Sequence, residues 1–231
     1  MSTDERRKAI LEAAARLFSH YGYAKTTVAD IARETHMGVG TCYLVFTSKE
    51  EIVEELSSRA HERVLRAMRE VAEARAYDSF SERLIGVLER RVAVFLELAE
   101  EGQHACELVH CTPSGITKRG KNGPVQSVHA RFRTQEAALL SELFEQALQR
   151  SELGGPGGVD VKRTVALVQR AYATLSPPWL YEQPPEEARR AAYEMSRLLL
   201  LGLMTRGEIA RTSTRESLPP RPRAKPPRSK R

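Results

Sequence analysis

Long apolar runs are missing from this 231-residue chain. The longest, Leu198 to Met204, is interrupted by Gly202, and a membrane-spanning helix needs about 20 apolar residues. The N-terminus has no apolar leader stretch, because Thr3 to Lys8 is mostly charged. Cysteine is scarce: Cys42, Cys106 and Cys111 are too few for a disulfide framework. A soluble protein in a reducing, cytoplasmic setting, with no membrane partner, is the expectation. Catalytic motifs are absent as well. The six histidines are scattered, and none sits in a nucleophile or metal motif. The Gly-rich stretch Gly154 to Gly158 has no strand before it and no Lys-Ser/Thr pair after it, so it reads as a flexible connection, not a phosphate loop. An enzyme is not expected, nor a cofactor.

Excess charge of one sign is also missing from most of the chain. The formal net charge is +6, but residues 215–231 hold seven basic side chains and one acidic one. The rest is balanced. Any affinity of the folded part for nucleic acid has to come from where its charges sit. The Pro-rich basic end reads as a disordered tail, which either adds salt-sensitive DNA affinity or serves solubility.

What is present is helical periodicity from end to end, with 41% apolar residues. Asp4 to His20 carries Ala9, Ile10, Ala13, Ala14, Leu17 and Phe18 on one stripe, with Ser2 or Thr3 as cap and Gly22 as stop. Ser48-Lys49-Glu50-Glu51 reads as a capping box that opens a long helix running towards Arg75. Ser79 and Glu82 mark the start of another, from Asp78 to Glu101. Further helices are expected over Val125–Gln149, Val161–Leu175 and Glu186–Thr205.

The most informative stretch is Thr27 to Phe46, TVADIARETHMGVGTCYLVF. Thr27 and Asp30 form an [ST]-x-x-[DE] helix start, and Val28, Ile31 and Ala32 follow at helical spacing. A second short apolar pattern, Met37, Cys42, Tyr43 and Phe46, begins after a tight turn and is opened by Gly38 and Gly40. Two short helices joined by a tight turn make a helix-turn-helix layout, whose second helix suits the major groove of DNA.

The neighbouring residues extend the pattern. AILEAAARLFSHYGYAKTTVADIA at 9–32 and GTCYLVFTSKEEI at 40–52 resemble the DNA-binding domain of the TetR-type repressor family, over about a quarter of the chain. His36, Gly38 and Val45 depart from the family's usual Gly, Ser/Thr and His. The resemblance implies an all-α fold: a three-helix helix-turn-helix DNA-binding head over residues 1–58, and a larger helical ligand-binding and dimerisation body over 59–206. Residues 207–231 are the basic tail. It implies a double-stranded DNA operator as partner, a small-molecule effector that releases it, and a homodimer formed through the last two helices. Carried over residue by residue, Val39, Gly40, Thr41 and Leu44 match base-facing positions, and Tyr43 matches a phosphate-contacting tyrosine. Lys25, Thr27, Gly38 and Lys49 stand at the backbone-facing rim. None of the base-facing four offers a bidentate hydrogen bond, so recognition is expected to draw on thymine methyls and DNA shape.

In the body, Phe95, Phe132, Phe144, Tyr172 and Trp179 are candidates for a ligand pocket, though core packing accounts for them equally. QHACELVHC at 103–111 allows an alternative on the same scaffold: a redox- or metal-responsive regulator using His104, Cys106, His110 and Cys111. That spacing matches no standard zinc finger, and core cysteines on a short helix are the favoured reading.

Overall fold

The computed structural model describes residues 1–74, 77, 79–102, 104, 124–153, 158–177 and 179–204. Within the described residues lie nine helices and no strand. They are α1 (Thr3–Tyr21), α2 (Val28–Glu34), α3 (Val39–Val45), α4 (Lys49–Glu73), α5 (Phe80–Glu100), α6 (Pro124–Gln149), α7 (Val161–Ala173), α8 (Trp179–Glu182) and α9 (Pro185–Met204). The all-α reading holds. The four-residue α8 was not foreseen, because a single turn between prolines has no periodicity to detect.

Local signals set the boundaries. Ser2 caps α1 in a full capping box with Glu5, and Gly22, at φ 83°, ends it by donating its N–H to the Phe18 carbonyl. Ser48 accepts from the Glu51 N–H at the start of α4. Glu51 does not complete that box; its carboxylate accepts instead from the N–H and hydroxyl of Thr47. Ser79 caps α5 through the Glu82 N–H.

The buried side chains form two clusters. One joins α1–α3 to the start of α4 through Ile10, Phe18, Ile31, Cys42, Phe46 and Ile52, with others. The second begins at Ala60 and Val64, further along α4, and gathers α5 to α9 around Leu84, Phe95, Phe132, Phe144 and Tyr172. Helix α4 therefore contributes to both. Its 25 residues span about 37 Å at 1.5 Å per residue.

A second bridge lies at the end of α5. Gly102 sits against Ser19 of α1, and the His104 N–H donates to the Ser19 carbonyl at 2.8 Å. A Cβ at position 102 would lie 2.6 Å from Ser19 Cβ and 2.8 Å from its carbonyl oxygen. Gly102→Ala is therefore expected to destabilise by about 1–3 kcal/mol, the usual range for an overpacked contact. Urea denaturation checks this; an unchanged midpoint would mean the corner yields freely.

Candidate nucleic-acid interface and body cavity

The turn between α2 and α3 is built by a Schellman motif. The Met37 N–H donates to the Ala32 carbonyl at 2.9 Å and the His36 N–H to that of Arg33 at 3.2 Å. The motif needs a left-handed residue, and His36 supplies it at φ 55°, at a cost of roughly 1 kcal/mol relative to glycine. Upstream, Thr27 caps α2 in a box that closes on itself. Its hydroxyl accepts from the Asp30 N–H, while its own N–H donates to the Asp30 carboxylate. Asp30 thus takes the N–H that would otherwise face outward at this rim. These bonds hold the Asp30 carboxyl below its ordinary range.

Helix α3 has seven residues and no side-chain cap on Gly38. Its composition favours helix weakly, so packing must hold it. Cys42 and Phe46 do so, at 0% and 1% exposure. Burial raises the Cys42 thiol pKa, which suits a core residue. The opposite face is turned to solvent: Val39, Gly40, Tyr43 and Leu44 are all exposed, Leu44 to 86%, and Thr41 is half-buried. A Cβ added at Gly40 would meet nothing within 4 Å, so the fold itself does not demand glycine there. Lys25, Thr27 and Gly38 are exposed beside this face.

Lys49 is positioned differently from the expected phosphate ligand. Its ammonium donates inward to the Tyr23 carbonyl at 2.8 Å and the Thr26 carbonyl at 2.9 Å, and lies 4.0 Å from the Tyr23 ring centre. Burial lowers its pKa, and Glu50 opposes that shift. Two of its three N–H groups thus tie the start of α4 to the segment leading into α2, which fixes the helix-turn-helix angle. Nothing in the sequence around Lys49 announces these carbonyls.

In the body, a cavity of about 190 Å3 lies among α4, α5, α6 and α7. Phe95 and Phe132 line it, together with His61, Arg91, Glu136 and Gln169. The other aromatic candidates do not share it. Phe144 packs edge-on against Phe80, with ring centres 5.0 Å apart. Tyr172 is 1% exposed, and its hydroxyl donates to the Ala192 carbonyl at 2.8 Å. The Trp179 side chain lies outside the described residues, as do Cys106, His110 and Cys111. Among the described residues no group of three or more His, Cys, Asp or Glu side chains is placed to hold a metal ion, and the redox- or metal-responsive alternative finds no support.

The polar lining was missed in the sequence, although it left a trace. Arg91 stands on the Leu84, Leu88, Phe95 stripe of α5, and Glu136 on the Phe132, Leu139, Leu140, Leu143 stripe of α6. A charge at a core position signals either a buried pair or a site. Here Arg91 Nε donates to Glu136 Oε1 at 2.6 Å, with both side chains about 95% buried. Gln169 Nε2 donates to Glu136 Oε2 at 2.9 Å.

His61, 2% exposed, has its pKa lowered to about 4 by burial first, with His129 and Arg91 adding to the effect and the Ser57 carbonyl and Glu136 opposing it. An unfolded histidine takes a proton below about pH 6.5. The unfolded chain therefore binds more protons than the folded one between about pH 6.5 and pH 4, and stability falls as pH drops through that window. The contribution is about 3 kcal/mol, fully present above pH 6.5. Urea midpoints at pH 7 and 4.5 are expected to differ by correspondingly less in His61→Phe; an equal drop in both proteins would assign the acid sensitivity elsewhere.

An exposed apolar-faced short helix, presented after a capped helix and a tight left-handed turn, defines a helix-turn-helix protein of the DNA-binding class. Comparison with known proteins agrees. Residues 10–56 match the family model of bacterial regulatory proteins, tetR family. The HTH-type transcriptional regulator YhgD of Bacillus subtilis is 26% identical over 211 residues, 88% of this chain and 98% of that protein. Among solved structures, a TetR-family transcriptional regulator from Syntrophomonas wolfei superposes with a TM-score of 0.66 at 20% identity, over 87% of this chain and 98% of that one. The regulator FadR from Bacillus subtilis, solved in complex with stearoyl-CoA, gives 0.63 at 18% identity, over 83% and 96%. Residues 10–56 thus carry the helix-turn-helix head of the tetR family of bacterial regulatory proteins, and over most of its length the chain is similar to an HTH-type transcriptional regulator. The matched family is one of DNA-binding regulators. No helix among the described residues is long and apolar enough to cross a membrane.

Proposed function

We infer that this regulator is a repressor, which holds its operator as a homodimer and releases it when a small molecule enters the body cavity. Residues 1–58 act as the DNA-binding head, 59–206 as the ligand-binding and dimerisation body, and 207–231 as a basic tail. The observation that carries the reading is the outward face of α3, where Val39, Tyr43 and Leu44 are 42%, 50% and 86% exposed. A seven-residue helix that turns its largest apolar side chains to solvent has a partner outside the chain. In this reading Val39, Thr41 and Leu44 pack on base edges and thymine methyls, and Gly40 lets the backbone come close. Tyr43, Lys25 and the Gly38 backbone meet phosphates, while Thr27, whose N–H and hydroxyl are both given to Asp30, sets the start of α2 beside them. Lys49 chiefly fixes the angle of the head, with one N–H left for a phosphate.

The dimer is assigned to α7 and α9, because Leu167 on α7 and Tyr193 and Leu198 on α9 are 48%, 42% and 65% exposed. Pairing these faces in two subunits would bury them in a four-helix interface. Two heads about 35 Å apart then meet successive major grooves. Ligand binding shifts the population towards a body conformation in which that spacing fails, and α4 carries the change to the head.

The test is capture of genomic fragments by the purified protein, starting with the region upstream of its own gene. Discrete, salt-sensitive retention is expected; uniform weak retention of all fragments would contradict operator binding. With a captured fragment in hand, Tyr43→Phe is expected to weaken binding about three- to tenfold, the value of one hydrogen bond, and equally across sequence variants. A changed sequence preference would move Tyr43 from phosphate to base.

A further inference from the structure

Among the buried polar side chains that line the body cavity, one atom is left without a hydrogen-bond partner. Arg91 donates to Glu136, to the Leu175 carbonyl at 3.2 Å and to Ser176 Oγ at 3.0 Å. Glu136 accepts on both oxygens, from Arg91 and Gln169. His61 differs. Its Nδ1 lies 2.8 Å from the Ser57 carbonyl oxygen, which can only accept, so Nδ1 carries the ring proton and Nε2 is a bare lone pair. That Nε2 is buried and has no hydrogen-bond partner, although the ring lines the cavity.

The rest of the cavity limits what can supply the missing donor. Its volume of about 190 Å3 lies below the roughly 300–1,000 Å3 of pockets for drug-sized ligands. It exceeds a single water's share of about 30 Å3 several-fold. The Phe132 ring stands 4.7 Å from the His61 ring, and the Phe95 ring 6.2 Å from Phe132. These two rings offer flat apolar walls. A cation would enter beside the Arg91 guanidinium. A carboxylate would meet the Nε2 lone pair and the Glu136 carboxylate. Arg91 and Glu136 already answer each other at 2.6 Å, so neither is free to offset a second buried charge, and the other guanidinium of the lining, Arg133, is exposed.

The geometry points to an effector that is compact and uncharged, with an apolar or aromatic body held against Phe95 and Phe132 and one O–H or N–H group donated to His61 Nε2. This assignment rests on the reading of the cavity as the effector site. Metal capture is not the chemistry, because the facing groups supply no ligand set. His61 gives specificity by demanding a donor: a ligand without one leaves the buried lone pair unpaired.

The test uses three probes of similar size, phenol, toluene and benzoate, on the full-length chain. Phenol is expected to bind about three- to tenfold more tightly than toluene, the worth of one hydrogen bond, with benzoate weakest. In His61→Phe, which keeps a ring but loses the acceptor, phenol and toluene are expected to bind alike. Should that variant fold poorly, the imidazole 15N spectrum of the unaltered protein decides: phenol moves the Nε2 resonance and toluene does not. Equal binding of phenol and toluene by the unaltered protein, tightest binding of benzoate, or an unmoved Nε2 resonance would overturn the assignment. Affinity for a captured DNA fragment is read separately. Selective phenol binding with unchanged DNA affinity refutes the effector-site reading and leaves the His61 pairing standing. Loss of DNA affinity with no preference for phenol refutes the pairing alone.

Discussion

Arg91→Met is expected to cost about 3–5 kcal/mol of folding stability, the range for breaking a buried ion pair from one side. The Arg91 side chain joins α5 to α6 through Glu136 and to the end of α7 through the Leu175 carbonyl and Ser176. It also stacks over the Phe95 ring at 5.0 Å. Methionine fills most of the space but leaves a carboxylate buried with only the Gln169 amide to answer it. Glu136 must then take up a proton or drag water into the cavity. The partner variant Arg91→Met/Glu136→Leu is expected to recover much of the loss, because removing both charges also removes both desolvation costs. Urea denaturation of the two variants checks this. A loss below about 1 kcal/mol in the single variant would mean that the pair behaves as a solvated surface bridge.

Leu44→Glu is expected to lower operator affinity by at least about 100-fold while leaving stability within about 0.5 kcal/mol. Leu44 is 86% exposed and contributes nothing to the cluster under α3, so folding has little to lose. Against DNA the substitution removes an apolar groove contact and brings a carboxylate towards phosphates. Each mismatched contact in a site costs about 1–3 kcal/mol, and a dimer carries the change twice. Titration of a labelled captured fragment, alongside a thermal melt, measures both effects. Retained affinity would remove Leu44 from the interface; a collapsed melt would make it a folding residue.

Much of the head could be read from the sequence because its signals are local. Ser2 with Glu5, Thr27 with Asp30, and Gly22 each fix a helix end within four residues, and the structure follows them. The outward set Val39, Gly40, Tyr43 and Leu44 also follows once Cys42 and Phe46 are taken as the inward positions. Contacts between distant segments were not legible. Nothing near Lys49 announces that its ammonium turns back to carbonyls 23 and 26 residues away. The cavity was hidden for a related reason. Aromatic residues in a helical stripe look alike whether they face a void or a neighbour, so Phe95 and Phe132 could not be told from Phe144 and Tyr172. The more informative sign was polarity out of place: Arg91 and Glu136 on apolar stripes and His61 on the inner face of α4.

The central claim is that the outer face of α3 meets the major groove in each of two subunits. Photo-crosslinking tests it most directly, with a photoreactive side chain placed in turn at position 44 on α3 and at position 167 on α7, both exposed. Covalent attachment to DNA bases is expected from position 44, at two sites about one helical turn apart, and attachment to a second protein chain from position 167. Attachment to DNA from position 167 with none from position 44 would contradict it.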